Sequence, residues 1–269
     1  AIAHYDVGSS RCTLGDNEAH NDGYDGECGG FFKANVSYRE FKGTQGTHWM
    51  AGALFQGAQM DRTNFYALSL VGANFFDSSG KLTNFQEARL TSATFQEAHL
   101  IRPNFYAADA LGAQFYHSSF VRPNFQGANL FRAKANQVRW LGANLYESKV
   151  DMVSFYGSDL RGSNLQFASC ADVDLRSTQL QGASLGCDGE NLETLLRAGH
   201  LQGAKFDDKT IMPWSRATAE SYGMIYKPGM DVSTLPALTE ADQMERFDGP
   251  LLPVDMGLGH GHGHAARAN

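Results

Sequence analysis

The chain has 269 residues, 42% of them hydrophobic and 19% charged, with 22 basic against 29 acidic side chains and a formal charge of −7. That is room for one large domain or two small ones, too apolar for a disordered polymer, and without the excess of cations that grips a polyphosphate. The longest apolar stretch, Trp49 to Phe55, is about seven residues, far short of the roughly 20 that cross a bilayer, so no membrane span is expected.

The chain opens at Ala1 with no charged-then-apolar leader, which reads as a processed or trimmed product. Residues 1–30 show no core pattern and are rich in Gly, Asp, Asn and His, so they are expected to form an irregular N-terminal arm. Within it Cys12 and Cys28 lie 16 apart, and a bridge between them would contribute around 3 kcal/mol. A disulfide is the expectation there, with free or metal-bound thiols as the alternatives. The acidic run Asp16, Glu18, Asp22, Asp25 and Glu27 lacks the ligand spacing of an EF-hand and reads as a solvated loop. Phe31, Val36 and Phe41 keep a five-residue spacing but sit one residue out of phase with the register that starts at Met50, so 31–49 reads as an N-terminal cap or first irregular coil.

From Met50 to Leu185 a bulky apolar residue recurs at nearly every fifth position. Its strongest members are Phe65, Phe75, Phe85, Phe95, Phe105, Phe115, Phe125, Leu145, Phe155 and Leu165, and only Gly80 in the register lacks a side chain to bury. A period of five is neither helix nor simple strand. Two residues before each centre sits a small one such as Ala73, Ala128 or Ala143, which an extended segment places on the same side as the centre. The polar residue between them points the other way, and the remaining two residues must turn a corner. Four corners close a square coil of 20 residues, so residues 20 apart should stack. Asn64, Asn84, Asn104, Asn124, Asn144 and Asn164 form an unbroken series at that spacing, suited to a ladder of amides bonded coil to coil.

These segments resemble the pentapeptide-repeat family, with its A-(D/N)-(L/F)-x-x consensus, at Ala73-Asn74-Phe75, Ala128-Asn129-Leu130 and Ala143-Asn144-Leu145. The resemblance implies an all-β fold, a right-handed quadrilateral parallel β-helix of about seven coils, about 34 Å tall at a strand spacing of about 4.8 Å. An irregular N-terminal segment, a short C-terminal helix and an extended C-terminal tail complete the expected architecture.

Past Leu185 the register breaks at Cys187, and Asn191 to Ala198 is helix-prone with Asn191 as its cap. Leu201 to Phe206 reads as one last repeat and 207–213 as an exit segment, so the β-helix domain is taken as 50–214. Cys170 occupies an inward centre while Cys187 falls at a turn, so Cys170 is expected to be a plain buried thiol. Residues 215–269 lack the pattern, carry a helix-prone stretch from Thr239 to Phe247, and end in His260, His262 and His264 spaced by Gly. They exceed what a cap requires and read as a docking tail, with a self-packed extension as the alternative.

No nucleophile elbow, phosphate-cradling loop, HExxH or paired CxxC is present, so neither an enzyme nor a cofactor or metal site is expected. The outward residues just after the centres are more informative. They place Tyr66, Tyr106 and Tyr146 on one corner and Phe76, Tyr116 and Tyr156 on the opposite one, residues suited to a protein interface. Covering their neighbours is the plainer role for them.

Quinolone-resistance members of the family, which are thought to mimic DNA with an acidic rod that binds gyrase, supply one alternative. Residues 50–190, however, carry 12 acidic against 11 basic side chains, a poor imitation of a polyphosphate. The expected function is a non-enzymatic scaffold or assembly subunit whose partners are protein subunits of a larger complex, with no nucleic acid bound. The resemblance extends this to a photosynthetic membrane complex on its lumenal side, the protein being peripheral to that membrane. A free-standing rod in a bacterial cytoplasm or periplasm is the other alternative.

Overall fold

The computed structural model describes residues 31–38, 41, 50–187 and 199–228. The candidate Cys12–Cys28 bridge, the acidic run 16–27, the helix-prone stretches 191–198 and 239–247 and the terminal histidines lie outside the described residues.

The described chain winds a right-handed quadrilateral β-helix. Parallel bridges join residues 20 apart on all four walls, among them Asn84↔Asn104, Arg89↔Asp109, Thr94↔Gln114 and, in the sheet, His99↔Ser119. One wall is regular enough to form a four-stranded parallel sheet of β1 (Ser79–Lys81), β2 (His99–Ile101), β3 (Ser119–Val121) and β4 (Arg139–Leu141). This strand wall is followed, around each coil, by the Asn wall, a Leu wall and a second Phe wall.

The five-residue unit follows from where its five peptide donors go. Around Phe105, Asn104 N–H donates down to the Thr83 carbonyl (2.9 Å), while Phe105 and Ala107 N–H donate up to Asn124 (2.7 Å) and Gln126 (2.9 Å). Ala108 N–H closes the corner on the Phe105 carbonyl at 3.0 Å. The fifth donor, Tyr106 N–H, meets the Oδ1 of Asn104 at 3.2 Å. The corner residue Ala107 has φ 52°, the left-handed region that costs a residue with a Cβ about 1–2 kcal/mol. The turn closed by Ala108 N–H on the Phe105 carbonyl and the bond of Ala107 to the coil above offset that cost.

Not every corner is closed this way. The corners after Leu100 and Phe120 carry Pro103 and Pro123, which have no N–H to give, and Thr83 at the corresponding place below has no such backbone bond among the described residues. From β1 to β3 the strand wall therefore turns into the Asn wall through an open corner, where proline fits the unit, whereas Thr63 and Ser163 close the same corner on Met60 and Leu160 below and above.

Inside, the Phe centres form two columns. Phe55, Phe75, Phe95 and Phe115 stack in one, and Phe65, Phe85, Phe105 and Phe125 in the other, with successive ring centroids 4.6–5.2 Å apart. Rings of the two columns meet edge to face, as Phe85 and Phe95 do at 5.3 Å and 90°. Trp140 ends the columns, stacked on Phe125 at 4.6 Å and edge-on to Phe115, with its indole N–H donated to Ser118 Oγ at 2.9 Å. Gly80 is a place of close approach, because a Cβ there would lie 2.9 Å from the Met60 carbonyl carbon and oxygen. Beneath the first regular coil, Phe31 and Phe41 stack on Phe55 and Phe65, with Asn35 bridged to Gln59 at an offset of 24 instead of 20.

At the upper end two expectations need correction. Cys170 is not a free thiol: it is bonded to Cys187, with Cα atoms 5.8 Å apart. Glu147 and Phe167, below Cys187 in the same column, take the left-handed corner conformation and Cys187 does not, so its side chain folds inward over Cys170. The tower also does not give way to an extended tail after Trp214. The strand β5 (Lys205–Phe206) caps Gln179 and pairs with β6 (Ile225–Tyr226), and between them lies the helix α1 (Arg216–Ser221). Ser215 Oγ caps α1 by accepting Thr218 N–H, and Ala219 and Met224 are buried with the core. The described cap thus reaches residue 228.

Pro103→Ala is expected to change stability by no more than about 1 kcal/mol, whereas Ala108→Pro, at a closed corner, is expected to cost about 3 kcal/mol or more; urea unfolding of the two variants measures the difference. Reducing the Cys170–Cys187 bridge, which spans 17 residues, is expected to cost about 3 kcal/mol, read as a lower unfolding midpoint in the Cys187→Ser variant.

Candidate functional site

The surface chemistry of the tower follows from the repeat unit. Residues just before a centre stand on a flat wall, and residues just after it stand on a corner. On the Asn wall the amides are bonded in sequence: Nδ2 of Asn84, Asn104, Asn124 and Asn144 donates to Oδ1 of the Asn one coil below, at 2.9–3.1 Å. Asn164 keeps the backbone register and accepts Gln166 N–H, but the amide chain ends at Asn144 among the described residues. The Oδ1 of Asn64, Asn84, Asn104 and Asn124 thus each serves two donors, one along the chain and one across coils. This leaves the wall polar but internally satisfied, with little left to offer a ligand.

The corners differ. Tyr66, Phe76 and Tyr156 are exposed, while Tyr106, Tyr116 and Tyr146 are half-buried against their neighbours. Tyr66 Oη donates to Glu87 Oε2 at 3.1 Å, and this bond, with the Glu87 charge, raises the phenol above its ordinary 10.0. Arg176 lies over the Tyr156 ring at 5.7 Å while chelating Asp174. Phe167, which the spacing of the corner aromatics does not mark, is 60% exposed and meets Tyr146 edge-on at 5.4 Å. Its signal was available: a Phe in the left-handed corner place, φ 58°, where small or polar residues are less costly. The aromatics therefore divide into exposed tips and half-covered bases on two opposite corners.

Residues 83–120, 124–162 and 154–186 match the model of the family described as pentapeptide repeats, in eight copies. The tower is a pentapeptide-repeat domain. Such proteins are generally non-enzymatic structural repeats, and repeat proteins of this kind mediate protein interactions. No curated protein matches the chain. Among solved structures it is similar to a trypsin-treated form of QnrB1, a plasmid-mediated fluoroquinolone resistance protein, at 20% identity over 64% of this chain and 90% of that one, TM-score 0.30. It is also similar to the pentapeptide-repeat protein Rfr23 of the cyanobacterium Cyanothece 51142, at 17% identity over 61% of this chain and 90% of that one, TM-score 0.29. A pentapeptide-repeat protein of the Arabidopsis thaliana thylakoid lumen is 19% identical over 63% of this chain and 78% of that one, TM-score 0.24.

Among the described residues no group of three His, Cys, Asp or Glu could hold a metal ion, and no helix is long and apolar enough to cross a membrane. The ion pairs support the repeat surface itself. Asp159 and Asp174 each bind the arginine two residues on, Arg161 and Arg176, at 2.7 and 2.8 Å. Burial pushes the Asp174 carboxyl up, but hydrogen bonds from the Arg176 side chain and backbone, the Arg176 charge and that of His200 outweigh it, so it titrates below its ordinary 3.8. A carboxylate lowered by folding stabilises the native state above its unfolded pKa, and that contribution disappears as pH falls through the folded value. Asp174→Asn is therefore expected to flatten the fall of Tm between roughly pH 5 and pH 2 without raising Tm at neutral pH, as followed by circular dichroism melts.

Proposed function

We propose that this pentapeptide-repeat protein is a scaffold or assembly subunit that binds other protein subunits through its two aromatic corners, within a photosynthetic membrane complex on its lumenal side. The observation that carries the reading is the set of exposed Tyr66, Phe76, Tyr156 and Phe167 on a backbone already held by bonds between coils. Ordering such side chains costs little on binding, and Tyr is enriched where binding energy concentrates. The Cys170–Cys187 bridge supports a compartment that sustains disulfides, which favours an exported location over a cytosol. Residues 229–269, outside those described, are read as the arm that reaches a partner.

DNA mimicry of the gyrase-binding kind is the weaker reading. The outward charges of the tower mix signs, with Arg102, Arg122 and Arg139 on one side and Glu87 and Glu147 on another, and a polyphosphate offers only one sign.

The test is mild-detergent affinity purification of the tagged protein with partners identified by mass spectrometry. The Tyr66→Ala, Phe76→Ala and Tyr156→Ala triple variant is expected to keep its Tm and to weaken partner recovery by at least about tenfold, the effect of losing more than 1 kcal/mol at a hot spot. Undiminished recovery would remove the corners from the interface, and potent inhibition of gyrase supercoiling would favour the mimic.

A further inference from the structure

The outward positions just after the centres of the second Phe wall alternate strictly. Phe76, Tyr116 and Tyr156 stand on every second coil, and Gln96, Asn136 and Arg176 on the coils between. The backbone joins them rung to rung, since Asp77, Glu97, His117, Gln137 and Gly157 N–H each donate to the carbonyl of the corner residue one coil up. Flat rings therefore project at intervals of two coils, about 9.6 Å, with shallower places between them. Phe76 and Tyr156 are 36% and 43% exposed, so their own tower leaves both rings open to a neighbour.

That interval selects among partners. An extended strand repeats its facing side chains about every 6.6 Å, and a helix returns to the same line only about every 10.5 Å. A second tower of the same coil height keeps step along the whole corner.

The order along the corner is also its own complement when reversed. With a second copy set end over end and its Arg176 against Phe76, Tyr116 meets Asn136 of the second copy and Tyr156 meets its Gln96. Two-fold symmetry then makes each contact twice. The charges agree with this register. Arg176, whose side chain is 52% exposed, comes beside Asp77 of the other copy, and Glu97 comes opposite Gly157. A parallel pair would instead set Arg176 against its own counterpart. The Tyr66 corner has the same alternation of Tyr and Gln, but reversal there brings Glu87 opposite Glu147, and like charges oppose the pairing.

We propose that two copies of the chain associate side by side and antiparallel through the Phe76–Tyr156 corner, the rings of one copy set over Gln96, Asn136 and Arg176 of the other. The inference rests on the aromatic-corner reading above and names the occupant of one corner, leaving the Tyr66 corner to other subunits. A line of contact about 24 Å long belongs to the smaller class of interfaces, so the dimer is expected to be reversible.

Sedimentation equilibrium of the purified full-length protein tests it, together with zero-length carbodiimide coupling of a mixture of isotope-labelled and unlabelled Arg176→Lys variant. A concentration-dependent dimer is expected, with links between labelled and unlabelled molecules from position 176 to Asp77. The Phe76→Ala, Tyr156→Ala double variant changes two exposed side chains, so it should keep its melting curve and raise the dimer dissociation constant by about tenfold or more. Gln96→Trp, which fills the place of the incoming Tyr156, should do the same, and Gln126→Trp on the other corner should not. A monomer at every concentration, a dimer without the link from 176 to Asp77, or a dissociation constant indifferent to these changes would each overturn the proposal. Self-association is read on the purified protein and partner recovery on an extract. A monomer that still recovers its partners therefore sinks this inference alone, and a dimer that recovers none sinks only the scaffold reading.

Discussion

Each corner of the tower leaves one peptide N–H that points at no neighbouring coil, and the repeat stands on how that donor is met. In the unit around Phe105 the other backbone donors go up, down or across the turn, and the Asn104 side chain takes the one that remains. The same bond recurs from Asn64 to Tyr66, Asn84 to Gln86, Asn144 to Tyr146 and, with a carboxylate, from Asp174 to Arg176. A buried or half-buried peptide group without a partner costs about 1–3 kcal/mol, and the cost would be repeated at every corner. Where Asn or Asp precedes a centre, it is therefore part of the backbone accounting as well as of the surface.

With the donors satisfied locally, the interior can be filled by a single kind of object. The Phe columns need rings at intervals of one coil, and the strand spacing of about 4.8 Å is close to the distance at which parallel rings stack comfortably. Where Phe gives way to aliphatic centres after Phe125, Trp140 bridges the change, its ring reaching Phe115, Phe120, Phe125 and Phe155. The resulting packing fixes the backbone from which the corner aromatics project.

The period, the inward register and the Asn series were legible because a side chain's facing direction repeats with the backbone, and facing direction is what apolar spacing records. The second duty of Asn104 was not legible, since periodicity carries no information about which peptide donors lack acceptors. The Cys170–Cys187 bond escaped for a related reason: it depends on Cys187 abandoning the corner conformation that Phe167 and Glu147 keep. The six-residue helix Arg216–Ser221 is too short for any amphipathic rhythm, although Ser215 three places before Thr218 is a cap signal. Among the corner aromatics, sequence supplied positions and the structure supplied exposure, which separates Tyr66, Phe76 and Tyr156 from their half-covered companions.

Each five-residue unit sends two peptide donors toward the C-terminal end for every one it sends back. The tower is thus a polar object, and its last regular coil is rich in donors. Asp207 answers this chemically, its Oδ1 accepting Gly182 N–H at 2.9 Å where another coil's carbonyl would otherwise stand. The carboxylate acts as a terminator: it closes the growing end with an acceptor that cannot itself serve as the first rung of another coil.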